Sequence, residues 1–133
     1  MFGIKKKIKT KGKKVLIVED DSLLLKVMSE SFLNENFEVA TAENGLEVMD
    51  AVKKFSPDII LLDLIIPGID GFAVLKQLKA DDKTKNIPVV VTSNLGEQSD
   101  VKSTKALGAD EYFIKSNVEM SKIIQYVKDK LNV

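Results

Sequence analysis

Asp58-Ile59-Ile60-Leu61-Leu62-Asp63 is the stretch on which the fold turns. Its unbroken apolar run, bounded by acids, suits a strand buried on both faces; a half-exposed strand would alternate apolar with polar. Such a strand needs cover above and below. Val15-Leu16-Ile17-Val18 and Val89-Val90-Val91 have the same character, and Tyr112-Phe113-Ile114 is a shorter version. Phe37-Glu38-Val39-Ala40-Thr41 alternates instead, as a half-exposed strand should. Helical spacing fills the gaps. Residues 22–34 carry Leu24, Leu25, Met28, Phe32 and Leu33, and residues 44–55 carry Leu46, Val48, Met49, Val52 and Phe55 before Pro57 breaks the pattern. Further helices are expected from about 70 to 80, over 97–107 with Gly108 as the stop, and over 117–131 with Val118, Ile123, Ile124, Val127 and Leu131 inward. Strand and helix alternate five times. That order predicts an α/β chain with three layers, a doubly wound parallel sheet between helices, and right-handed crossovers.

The 133 residues suffice for one domain. There is no His and no Cys, and all twenty basic residues are Lys. Without His, the Ser–His and Cys–His nucleophile systems and His-ligated zinc are excluded within the chain. Without Arg, no bidentate guanidinium fork is available for phosphate or nucleic acid. No apolar run reaches transmembrane length and no secretory signal is visible, so a cytoplasmic location is expected. Charge is uneven. Residues 1–14 hold seven Lys and no acid, whereas the rest holds 13 Lys against 20 Asp and Glu. Residues 1–12 are read as a basic, flexible leader and 13–133 as the folded domain. The leader reads as a solvated tail; the alternative is a polybasic contact with anionic lipid or nucleic acid.

In a doubly wound sheet, ligands bind beyond the carboxyl ends of the strands. The residues that follow the apolar runs are therefore the candidates: Glu19-Asp20-Asp21, Asp63, Thr92 and Lys115. Clustered carboxylates repel and raise one another's pKa, and a hard divalent cation relieves this. One Asp beside such a cation can attack phosphorus as a nucleophile, with a hydroxyl and an ammonium meeting the phosphoryl oxygens. Asp21 and Asp70 read more simply as helix caps.

Val-Glu-Asp-Asp at 18–21, Leu-Leu-Asp-Leu-Ile-Ile-Pro-Gly-Ile-Asp-Gly at 61–71, Val-Val-Val-Thr-Ser at 89–93 and Gly-Ala-Asp-Glu-Tyr-Phe-Ile-Lys at 108–115 together resemble the receiver domain of two-component response regulators, of the stand-alone, chemotaxis-regulator-like type. The resemblance covers roughly residues 13–132. It implies a flavodoxin-like (βα)5 fold with strand order 2-1-3-4-5 and a phosphorelay switch rather than an enzyme, apart from catalysing its own phosphorylation and dephosphorylation. By the same resemblance Asp63 is the phosphoacceptor, becoming 4-aspartylphosphate. Mg²⁺ (or Mn²⁺) would be held by Glu19, Asp20, Asp63 and the backbone carbonyl of Ile65. Thr92 and Lys115 would contact the phosphoryl group, and Thr92 and Tyr112 would form the switch, Tyr112 turning inward on phosphorylation. The donor would be a sensor histidine kinase or histidine phosphotransfer protein in trans. The target would be a protein on the α4-β5-α5 face, made by the helix at 97–107, the strand at 112–114 and the helix at 117–131. No output or DNA-binding domain is expected after Val133.

Two features depart from the family pattern. Ser116 stands where Pro usually follows the lysine. A non-proline cis peptide costs about 2.5–4 kcal/mol, so a trans peptide and a shifted loop are expected. Ile65 and Asn94 occupy the positions that influence water access, and an apolar Ile65 cannot orient water, so slow self-dephosphorylation is expected. Two rivals remain. A haloacid-dehalogenase-type phosphatase would need an acid at Ile65. A degenerate, unphosphorylated scaffold would not need Glu19, Asp20, Asp63, Thr92 and Lys115 intact.

Overall fold

The computed structural model describes residues 10–96 and 98–133. Its strands are β1 (Lys14–Val18), β2 (Glu38–Ala42), β3 (Ile59–Leu62), β4 (Val89–Ser93) and β5 (Glu111–Ile114). Its helices are α1 (Ser22–Leu33), α2 (Val48–Phe55), α3 (Gly71–Ala80), α4 (Gln98–Ala106) and α5 (Met120–Lys130). The five strands form one parallel sheet in the order β2-β1-β3-β4-β5, as expected from the resemblance.

The apolar runs are buried because both faces of the sheet are covered. Leu16, Val18, Ile60, Leu62 and Val91 face one layer, where Val48 and Val52 of α2 and Val74, Leu75 and Leu78 of α3 pack. Val15, Ile17, Ile59, Leu61 and Val90 face the other, against Leu25, Met28 and Phe32 of α1 and Ile123, Ile124 and Val127 of α5. Fully burying each such side chain is worth about 1.5–3 kcal/mol. Pro88 costs the sheet nothing, since it precedes β4 and its carbonyl still accepts from the Ile60 N–H at 3.0 Å.

Several expectations are corrected. Leu33 is 53% exposed and Leu46 68% exposed. Phe32 takes the inward position at the end of α1, edge-on to Phe37 with ring centroids 5.3 Å apart, and this turns its neighbour Leu33 outward. Leu46 lies in a 3-10 turn (Gly45–Glu47) ahead of α2, so it does not follow the α-helical stripe. Asn44 caps that turn, its side chain accepting the Glu47 N–H at 3.0 Å. The last helix begins only at Met120, because Lys115–Asn117 form a second 3-10 turn. β2 is shifted one residue late relative to the sequence reading.

The expected flexible leader over 1–12 falls, for its first nine positions, outside the described residues. From Thr10 onward the chain is engaged: Thr10 is buried, its hydroxyl donates to the Glu35 carbonyl, and its own carbonyl accepts the Lys13 N–H at 2.9 Å. Among the described residues no helix is long and apolar enough to cross a membrane.

Candidate functional site

β1 and β3 lie side by side with Val18 opposite Leu62, so the residues leaving both strands emerge together. Backbone bonds hold that exit: Asp63 N–H donates to Val18 O at 3.1 Å and Glu19 N–H to Ala42 O at 3.0 Å. Behind Asp63, α3 starts against the strand. A Cβ on Gly71 would stand 2.4 Å from the Asp63 carbonyl oxygen and 2.4 Å from Leu64 Cα, so only glycine fits there. Asp70 caps α3 by accepting the Ala73 N–H at 3.0 Å, and Asp21 caps α1 through the Leu24 N–H at 3.1 Å. Both acids thus have the capping role expected of them.

Glu19, Asp20 and Asp63 bring one carboxylate oxygen each within 4.8 Å of the others. Glu19 is 1% exposed and Asp63 4% exposed, while Asp20 is open to solvent. At this spacing two unit charges repel by about 3 kcal/mol at an effective dielectric of ~20. Asp63 Oδ1 accepts the Ile65 N–H and Glu19 Oε2 the Asp21 N–H, both at 3.1 Å. Lys115 reaches in from the end of β5. Its Nζ lies 2.7 Å from Asp63 Oδ2 and also hydrogen-bonds Glu19 Oε1. Burial pushes the Glu19 carboxyl above its ordinary value, against the opposing pull of Lys115. Burial alone would lower Lys115; its hydrogen bonds to Asp63 and Glu19 outweigh that and hold it above its ordinary value.

Thr92 is fully buried in β4, one residue beyond the Val91–Leu62 pair and so level with Asp63. Tyr112 is already turned inward, at 9% exposure, with its hydroxyl donating to the Leu95 carbonyl. Burial raises its pKa. An acceptor in the β4–α4 loop, the Leu95 carbonyl, holds the ring in. Ile65 stands on the rim at 59% exposure, lining the same cleft as Asp20, Asn94 and Lys115.

The structure thus gathers Glu19, Asp20, Asp63, Ile65 and Lys115, with Thr92 and Tyr112 on the neighbouring strands. Two contributions escaped the sequence reading. Asn94 Oδ1 accepts the Ser116 N–H at 3.2 Å and so ties the β4–α4 loop to the turn after Lys115. Gly71 fixes where α3 abuts Asp63; the Asp70-Gly71 turn signal was visible, its steric reason was not. The Lys115–Ser116 peptide is trans, within the 3-10 turn.

The donor set fits a hard divalent cation. Three carboxylates converge, two of them buried, and one ammonium answers them. Mg²⁺ and Mn²⁺ favour such oxygen ligands, Mg²⁺ taking one or two carboxylates and keeping waters. Glu19, Asp20 and Asp63 would hold the ion.

The family model for the response regulator receiver domain matches residues 15–128. The chain is 39% identical over 104 residues to sporulation initiation phosphotransferase F of Bacillus subtilis, covering 78% of this chain and 82% of that one. A solved structure of the phosphorylated cyanobacterial phytochrome response regulator RcpA superposes with a TM-score of 0.75 at 34% identity, covering 88% of this chain and 89% of that one. The Mn²⁺-bound form of response regulator Rcp1 superposes with a TM-score of 0.76 at 28% identity, covering 87% and 91%.

Proposed function

The chain belongs to the response regulator receiver domain family, and on that premise we propose that it is a phosphorylation-dependent switch of a two-component phosphorelay with Asp63 as its acceptor. The observation that carries this reading is the contact of Lys115 Nζ with Asp63 Oδ2 at 2.7 Å inside a cluster of three acids. It sets a buried carboxylate at a strand end, positioned by backbone and already facing a cation. The chain has no His, so the phosphoryl group comes from a phosphohistidine on a sensor kinase or phosphotransfer protein. An Asp63 carboxylate oxygen attacks phosphorus. The P–O bond forms as the P–N bond breaks, and the electron pair leaves on the donor's imidazole nitrogen. Attack by water later releases inorganic phosphate and restores Asp63.

Lys115 meets the added negative charge, which amounts to about −1.5 to −2 on phosphorylation. Thr92 offers its hydroxyl from the adjacent strand. Mg²⁺ or Mn²⁺ bound by Glu19, Asp20, Asp63 and the Ile65 carbonyl would supply positive charge against the phosphoryl oxygens. As Lys115 turns from Glu19 and Asp63 toward phosphate, the Asn94–Ser116 link passes the shift to α4 and α5, where a protein target reads it. Ile65 and Asn94 leave hydrolytic water poorly oriented, because Ile65 is apolar and Asn94 is engaged with Ser116. The setting is cytoplasmic.

The test is incubation with acetyl phosphate and Mg²⁺, read by intact mass. Wild type gains one phosphoryl group and Asp63→Asn gains none. Failure of wild type with both acetyl phosphate and beryllofluoride, or equal labelling of Asp63→Asn, overturns the proposal.

A further inference from the structure

The fold sorts charge between its two ends. At the carboxyl ends of the strands lie Glu19, Asp20, Asp21, Asp63 and Asp70, with Asp100 in the first turn of α4. At the amino ends of the strands, where the helices finish, lie Lys11, Lys13, Lys14, Lys53, Lys54 and Lys83. Lys53 and Lys54 close α2, and Lys53 and Lys83 line one shallow cleft. Lys14 sits with its Nζ 5.6 Å from the centroid of the Phe55 ring. Lys11 lines a neighbouring groove beside the exposed Leu33. None of these six is paired with a carboxylate among the described residues. Several acids of this end are already engaged: Asp58 accepts the Lys14 N–H at 2.8 Å, and Asp82, Glu35 and Asp110 pair with Lys85, Lys128 and Lys130. Glu38, at the start of β2, is exposed and shares the groove of Lys11, so it offsets one of these charges.

A bland cause accounts for part of this arrangement, since lysine near a helix C-terminus meets the negative end of the helix dipole. That explains Lys53 and Lys54. It does not explain Lys11 and Lys13, upstream of β1, or the four further lysines at 5, 6, 7 and 9 that the sequence places ahead of them. The two poles are separated by the five residues of β1, about 16 Å at a rise of ~3.3 Å per residue. That is roughly twice the ~8 Å Debye length at physiological salt, so the acidic pole does not cancel the basic one.

We infer that the basic pole is a contact surface for an anionic lipid bilayer. Lysine carries a compact point charge suited to a diffuse layer of lipid phosphates, and the absence of Arg removes the fork that would read nucleic acid. Exposed Leu33 among the lysines suits the boundary of a bilayer. Docked this way, the protein turns the Asp63 cleft away from the membrane, so phosphotransfer from a soluble partner stays open.

The test is co-sedimentation of the full chain with vesicles of equal parts phosphatidylglycerol and phosphatidylcholine, against phosphatidylcholine alone, across a salt series. Binding is expected to the anionic vesicles only and to fall with salt. Replacing Lys11, Lys13, Lys53, Lys54 and Lys83 together by Gln is expected to weaken it by about a thousandfold or more, at ~1 kcal/mol per lysine near the surface. An unchanged circular dichroism spectrum and unchanged labelling by acetyl phosphate confirm that this variant is folded. No binding, equal binding to neutral vesicles, an undiminished affinity in the folded variant, or tighter binding to a DNA duplex at the same ionic strength overturns the inference.

Discussion

Lys115 and Lys128 are both drawn into the fold to meet carboxylates, and they do so in opposite balance. Lys128, 7% exposed on α5, reaches Glu35 Oε2 at 3.2 Å, one ammonium for one carboxylate. That pair joins the last helix to the α1–β2 connection, where the Glu35 carbonyl also accepts from Thr10. Lys115 faces Glu19 and Asp63 at once, with Asp20 alongside. The first arrangement is complete. The second holds too little positive charge, and a structure that keeps like charges so close stores a demand for another cation or for chemistry that redistributes the charge. A matched buried pair speaks of architecture, and a mismatched one of function.

The contrast can be broken most directly at the two lysines. Lys115→Met is expected to slow labelling by acetyl phosphate by about a hundredfold, the usual cost of losing one charged donor to a developing anion. Lys128→Met is expected to leave the labelling rate unchanged; an equal loss in both would erase the distinction. Next comes metal. Saturating Mg²⁺, at about a hundred times its dissociation constant, is expected to stabilise wild type by about 2.7 kcal/mol in urea unfolding, and EDTA to remove that gain. Asp20→Asn is expected to lose most of it. A full response in that variant would place the ion elsewhere.

Smaller effects sharpen the comparison from the side of stability. In EDTA, Asp63→Asn leaves Lys115 paired with the buried Glu19 and only the exposed Asp20 beside them, and is expected to gain about 1 kcal/mol by relieving repulsion. Glu35→Gln strands a buried ammonium and is expected to lose about 1 kcal/mol, the modest size reflecting the partial exposure of Glu35. Chemical denaturation of both variants gives the sign. Destabilisation by Asp63→Asn would mean that the acid cluster is not strained.

The mismatched site was legible in sequence because its members follow runs that declare themselves locally. Ile59-Ile60-Leu61-Leu62 announces a buried strand, and Asp63 is simply the next residue; Glu19, Thr92 and Lys115 are found the same way. The matched pair was not legible. Lys128 lies in a last helical turn where lysine is ordinarily a solvated residue, and nothing in its neighbourhood names a partner 93 positions away. The same holds for Asn94 and Ser116, which meet only because β4 and β5 are neighbours. Leu33 and Leu46 show the complementary failure, where apolar residues at helical spacing end outside because a helix runs out or begins as a tighter turn. The charge poles were half legible: the lysine-rich leader was plain, but only the fold brings Lys53, Lys54 and Lys83 to the same end.

The most direct measurement is borohydride reduction of the protein after labelling with acetyl phosphate and Mg²⁺, followed by peptide sequencing by mass spectrometry. An acyl phosphate on Asp63 is reduced to homoserine, so the account predicts homoserine at position 63 and at no other acid of the cleft. Homoserine at position 20, or phosphate retained on a serine or threonine after reduction, would contradict it.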